Sequence, residues 1–288
     1  MQLYRHWAKA RAVATAANGK TLAVTAWGWS AIGLEDAGAQ AQARAQAAVQ
    51  KLAAGGEPGR YGYLERPLRE EELERTEDSA GQPLVVITRN GYGARIMNAA
   101  NAMFVDVDLP ETWWWETFCW KIARLWSSDA PSPPARREAA AIALLERLRA
   151  RDPAFGARVY RTRAGLRYLL THRTAEPTAQ STVDCMEALH ADPLYVRLTR
   201  AQACFRARLT PKPWRVGLLE PRWQWPWPNA EAGRAFREWE DRYRAASAGH
   251  AVCAFVATVG NPVIDLALAA VVVSHDRETG ATSGLPLA

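Results

Sequence analysis

No Cys-X-X-Cys pair occurs in this chain, and its four cysteines, Cys119, Cys185, Cys204 and Cys253, stand far apart. That argues against a zinc ribbon or a disulfide framework and leaves reduced, buried thiols as the expectation. A phosphate-binding P-loop, a Gly-X-Ser-X-Gly nucleophile elbow and a His-Glu-X-X-His helix are also missing. The five histidines, at positions 6, 172, 190, 250 and 275, share no ligand spacing. The N-terminus lacks the apolar core of a signal peptide, and the longest late apolar run, Val263–Val273, contains Asp265 and is too short to span a bilayer. A soluble, cytoplasmic protein with no membrane partner is expected. No internal repeat is visible, and nothing in the sequence sets the oligomeric state.

What the chain does have is length, positive charge and tryptophan. Its 288 residues are enough for one or two domains that bury roughly three quarters of the unfolded surface. The formal charge of +6 comes largely from arginine, which suits phosphate ligands, RNA or DNA, although many basic proteins bind none of these. Thirteen tryptophans are expected mostly in the core, because aromatic side chains carry large burial energies.

The stretch best suited to chemistry is Ala102–Pro110. Met103, Phe104, Val105 and Val107 form a β-prone run that Pro110 ends. Successive strand residues point to opposite faces, so Asp106 and Asp108 emerge on the same face. Two adjacent carboxylates repel unless a cation neutralises them, and Mg²⁺ or Mn²⁺ favours oxygen ligands. The pair reads either as a metal site at a strand end or as a strand running out into a solvated acidic turn.

Around this stretch the pattern is mixed. Leu3–Ala14 and Thr21–Trp29 flank an Asn18-Gly19 step and read as a β-hairpin, followed by an alanine-rich helix over Leu34–Ala54. Glu57–Gly62 is expected to be a loop, and Glu70–Asp78 a short acidic helix with Leu73 inward. Leu84–Thr88, a turn at Arg89–Gly93, and Ala94–Ala102 lead into the Asp-X-Asp strand as one small antiparallel sheet. A buried helix over Glu111–Trp126, a loop at Ser127–Pro134 and an amphipathic helix over Ala135–Arg151 come next. Ala157–Tyr160 and Leu166–Thr171 form a second hairpin with a basic tip. Thr178–His190 is helical with Ser181 and Asp184 at capping-box spacing, and Tyr195–Ala203 is ambiguous between helix and strand. Cys204–Leu209 alternates so that Arg206 and Arg208 share a face, and a rigid basic loop, Thr210–Arg215, continues it. Trp223, Trp225 and Trp227 alternate in a proline-rich loop that either stacks bases or clamps onto its own protein. A charged helix over Glu231–Ala248, with Phe236, Trp239 and Tyr243 on one stripe, precedes two final apolar stretches.

This order resembles the catalytic core of the archaeo-eukaryotic primase superfamily, the primase-polymerases included, over roughly residues 84–220. Met103–Asp108 fits the family's metal-binding Asp-X-Asp strand, and Thr162–Arg167 fits the outline of its later nucleotide-contacting hairpin motif, with Arg167 where a histidine would stand. Asp192, which precedes a proline, is the best-placed third acid. Arg208, Lys212 and Arg215 would fill the family's basic stretch. The resemblance implies an α+β fold with an RRM-like, mixed or antiparallel sheet and packed helices, preceded by the N-terminal hairpin and helix. It divides the chain into a hairpin-helix region at 1–80, a primase-like core at 81–220 and a C-terminal helical and apolar extension at 221–288.

The function so implied is metal-dependent nucleotidyl transfer. Asp106, Asp108 and Asp192 would hold Mg²⁺ or Mn²⁺, with Asp106 and Asp108 catalytic, while Arg163, Arg167, Arg208, Lys212 and Arg215 grip a nucleoside triphosphate or nucleic acid. Two alternatives stand beside it: a non-catalytic basic module that binds RNA, DNA or a nucleotide, and a structural or interaction protein whose arginines pair with its own 30 acids.

Overall fold

The structure, a computed structural model, describes residues 1–57, 67–123 and 131–288. It is mixed α+β, and its sheets are antiparallel. Strands β1 (His6–Thr15) and β2 (Thr21–Ser30) form the N-terminal hairpin, with Gly19 at φ 78° in its turn. Helix α1 (Leu34–Ala53) lies on the hairpin through Ala37, Ala41, Ala45 and Val49. Small residues set this separation. A Cβ on Gly28 of β2 would come within 2.0 Å of the Ala37 carbonyl, so the backbones meet where only glycine fits. The loop expected at Glu57–Gly62 lies, beyond Glu57, outside the described residues.

A four-stranded sheet follows, in the order β3 (Glu71–Glu77), β4 (Pro83–Arg89), β5 (Arg95–Ala99) and β9 (Phe205–Arg208). The acidic run expected as a short helix is therefore its edge strand β3. Its carboxylates find arginines outside the run: Glu71 pairs with Arg89, Glu74 with Arg95 at 2.7 Å, and Glu72 with Arg5 at 2.6 Å. Burial pushes the Glu72 carboxyl up, but hydrogen bonds from Arg75 and Arg5 overcome this and hold it at about 2. Such pairs with arginines distant in the chain, Glu71–Arg89 directly across the β3–β4 ladder, outweigh the helix preference of a short Glu-rich segment.

The second sheet runs β10 (Cys253–Gly260), β7 (Gly156–Thr162), β8 (Gly165–Leu170) and β6 (Phe104–Asp108). The Asp-X-Asp strand β6 thus does not extend the β4–β5 sheet as expected. The free edge of β5 is taken by β9, Ile96 opposite Arg208, and β6 pairs instead with β8. The Tyr195 hydroxyl joins the two sheets, lying 3.1 Å from the Phe104 carbonyl of β6 and 3.0 Å from the Arg206 carbonyl of β9. One core, including Met97, Phe104, Tyr168, Leu145 and Met186, runs between them. It also takes Leu268, Val271 and Val272 of helix α7 (Leu266–Thr279). Strand β10, α7 and β3 draw this core from all three stretches of the sequence.

Of the tryptophan-rich helix, α2 (Trp114–Ala123) is described, and Leu125 and Trp126 fall outside the described residues, as do 127–130 of the loop after it. The helix was expected to be buried, yet Trp113, Trp114, Trp115 and Phe118 are 66%, 77%, 52% and 57% exposed. Trp113 precedes the helix, and consecutive helical residues such as Trp114 and Trp115 point about 100° apart and cannot both face one neighbour squarely. The neighbour is α3 (Pro133–Arg151), whose Arg137 grips Glu116 at 2.6 Å. Helix α4 (Gln180–Ala188) starts one residue before Ser181 with no side-chain cap, and Asp184 instead accepts from Gln180 Nε2. The ambiguous segment is helix α5 (Pro193–Gln202). Helix α6 (Ala230–Ser247) buries Phe236, Trp239 and Tyr243, and Trp227 packs on Phe236 with ring centroids 4.4 Å apart. No helix among the described residues is long and apolar enough to cross a membrane.

Candidate functional site

The Asp-X-Asp strand ends where the two sheets meet. Antiparallel register places Asp106 opposite Arg167 and Asp108 opposite Gly165. Gly165 is required there, since a Cβ would fall 2.0 Å from the Val107 carbonyl. Arg167 is 2% exposed and forms a fork on Asp106: Nε donates to Oδ1 at 2.7 Å and Nη2 to Oδ2 at 2.9 Å. Its Nη1 donates to the Arg208 carbonyl at 3.1 Å, which ties β8 to β9. Burial opposes the Arg167 charge, but the Asp106 carboxylate more than reverses this and raises the guanidinium pKa. The cation neutralising Asp106 is therefore an arginine of the same protein.

Behind Arg167 lies a second buried network that the sequence did not disclose. His275 of α7, fully buried, has Nε2 3.5 Å from Arg167 Nη1 and Nδ1 3.1 Å from Asp276 Oδ1. Burial, with the Arg167 charge, pulls the imidazole pKa down. A neutral ring that donates from Nδ1 to Asp276 and turns the Nε2 lone pair to Arg167 satisfies both contacts. Asp276 also accepts from Arg158 at 2.6 Å and from the Tyr160 hydroxyl at 2.7 Å. No motif spacing links β7, β8 and α7, so only the fold brings these residues together.

Asp192 sits beside β6, where its backbone N–H donates to the Asp106 carbonyl at 3.2 Å. Its carboxylate caps α5, accepting from Leu194 N–H at 2.9 Å. Asp108 is exposed and forms no ion pair among the described residues. Partial desolvation of its carboxyl by the surrounding side chains, then the charges of Asp192 and Asp106, raise its pKa, while Lys212 and Arg215 oppose the rise. The three acids thus approach one strand end. Among the described residues, however, no group of three His, Cys, Asp or Glu side chains is arranged to hold a metal ion.

Lys212 and Arg215 act on Asp108, and Arg208 and Arg163 lie close to them, so that four cations gather near this strand end. Arg163 lies at the β7–β8 hairpin tip, Arg208 ends β9, and Lys212 and Arg215 flank and occupy the short 3-10 turn Pro213–Val216. Burial lowers the Lys212 pKa, and the charges of Arg208 and Arg215 lower it further. Arg215 is likewise lowered by burial, then by Arg208 and Arg163. None of the four forms an ion pair with an acidic side chain among the described residues, whereas Arg89, Arg95, Arg158 and Arg206 all do. Arg208 Nε is buried with no hydrogen-bond partner among them. Of the expected basic set, then, Arg163, Arg208, Lys212 and Arg215 gather at the surface and Arg167 turns inward to Asp106.

A cavity of about 430 Å³ opens beside Arg163 and Arg215, and Trp214, His250 and Pro286 to Ala288 complete its walls. Trp214 was passed over as part of a basic loop. An aromatic between Lys212 and Arg215 was the available signal. Trp223 borders a separate groove against α6, and Trp227 is instead packed on Phe236. Compared with protein-family models, curated proteins and solved structures, the chain has no match.

Proposed function

We propose that this protein holds the phosphates of a nucleotide or nucleic acid through Arg163, Arg208, Lys212 and Arg215, as a binding module that requires no metal ion and transfers no phosphoryl group. The observation carrying this reading is the convergence of four cations without an acidic ion-pair partner among the described residues. Clustered like charges destabilise one another, and an anionic ligand relieves the repulsion at each of them. Arginine also matches phosphate oxygens with a planar fork of donors.

The primase-like alternative asks Asp106 and Asp108 to share Mg²⁺ or Mn²⁺. Both Asp106 oxygens already accept from Arg167, and Asp192 is committed to its helix N-terminus. These residues do not fit a divalent ion as found. Arg167 cannot titrate near neutral pH, so it supplies no general acid or base in place of the family's histidine. The purely structural alternative accounts for the arginines that pair with acids but not for the gathering of Arg163, Arg208, Lys212 and Arg215 at one place without an acidic ion-pair partner among the described residues.

Salt tests this reading. Binding a single-stranded oligonucleotide releases counterions, so the logarithm of affinity falls with the logarithm of salt concentration by about 0.7 per phosphate contacted. Full engagement of the four cations predicts a slope of about −3 by fluorescence anisotropy in EDTA. No binding at low salt, or an affinity indifferent to salt, would contradict the proposal.

A further inference from the structure

The cation cluster explains attraction to phosphate but not the cavity next to it. We propose that Trp214 and this cavity form a base pocket, so that the ligand is recognised as a nucleotide, base and phosphate together, and not as a bare polyanion; this rests on the phosphate-binding reading above. Four observations support it.

The cavity, at about 430 Å³, is within the range that encloses a small organic ligand. Arg163 and Arg215 belong both to its wall and to the cation cluster, so a ligand with phosphates on the cluster has its organic portion directed at this opening. Trp214 is 49% exposed although its ring is held from behind, edge-on to Tyr92 with centroids 5.5 Å apart. Lys212 Nζ lies 5.3 Å from the same ring centroid, so the indole and a phosphate-seeking ammonium are already adjacent. An aromatic held by Tyr92, half exposed and with a cation over one face can stack a base on the face that Lys212 leaves open, and every nucleobase has a face to offer. His250 adds a polar group to the wall. Its Nδ1 lies 3.3 Å from the Ala246 carbonyl, which leaves Nε2 for a base edge.

The test compares ATP with inorganic tripolyphosphate by calorimetry in EDTA, on the full chain. Tripolyphosphate carries at least as much charge, so a preference for ATP reports the base. We expect ATP to bind more tightly, and Trp214→Ala to weaken ATP by roughly 5- to 150-fold, the span of a lost base stack. Tripolyphosphate affinity should be unchanged in that variant, and Trp214→Phe should keep most of the ATP preference. Equal affinity of the wild-type protein for the two ligands would overturn the base pocket while leaving the phosphate site standing. Failure of both ligands to bind would overturn both. Because the wild-type comparison decides the matter alone, poor folding of a variant does not rescue the proposal.

Discussion

Asp106→Asn is expected to lower the stability of the fold by up to about 3 kcal/mol, the low end for breaking a buried ion pair, because Arg167 is buried but the Asp106 side chain is 37% exposed to screening water. The substitution keeps the size of the side chain but leaves the Arg167 guanidinium, 2% exposed, without its carboxylate. The Arg208 carbonyl and the neutral His275 remain near Nη1, but neither carries a negative charge. At about 2–4 °C per kcal/mol for a chain of this size, the melting temperature should fall by at most about 6–12 °C. Replacing both partners with apolar residues, as in Asp106→Leu with Arg167→Met, should recover most of the loss, because it also removes the desolvation cost of the charge. A metal-ligand role for Asp106 predicts the opposite pattern, with almost no change in melting temperature for Asp106→Asn. Thermal and urea unfolding of the two variants distinguish these outcomes.

The second large effect is on affinity. Lys212→Ala combined with Arg215→Ala should weaken binding of a single-stranded oligonucleotide by about 100-fold or more, since each charge-assisted hydrogen bond to phosphate contributes about 1.5–3 kcal/mol. The same variant should melt no lower than the wild type. Both groups have their pKa values pulled down by burial and by Arg208, so their charges are held at a cost in the folded protein. Loss of affinity with unchanged or improved stability marks residues that serve a ligand. A drop in melting temperature with affinity intact would assign them to the scaffold.

Features with a local signature were legible in the sequence. The Asn18-Gly19 turn, the alternation of Phe205–Arg208 and the shared face of Asp106 and Asp108 follow from side-chain periodicity over a few residues. So did the α+β class and the antiparallel pairing. What could not be read depends on partners distant in the chain. Glu71 and Glu74 become strand residues because Arg89, directly opposite Glu71, and Arg95, one strand further on, pair with them, and β6 joins β8 because β9 has taken the edge of β5. The resemblance puts Arg167 at the nucleotide-contacting position of a hairpin motif, and nothing in the sequence shows that its nearest anion is Asp106. Trp113, Trp114 and Trp115 were placed in the core on hydrophobicity alone, which does not say whether a neighbour exists to cover them.

Asp108 offers the sharpest discrimination, because the metal and phosphate readings give it opposite signs. Its pKa is raised in the fold by partial desolvation and by Asp192 and Asp106, so its ionised form is destabilising there. Stability is lost as pH rises from the ordinary carboxylate value through the raised one, and a bound phosphate, adding negative charge, drives proton uptake by the same group. The decisive measurement is calorimetric titration of ATP into wild-type protein and Asp108→Asn at neutral pH, each with EDTA and with Mn²⁺. Metal-independent phosphate binding predicts comparable wild-type affinity in both buffers and equal or tighter binding by Asp108→Asn, which no longer repels the phosphates. Binding that appears only with Mn²⁺ and disappears in Asp108→Asn would contradict it.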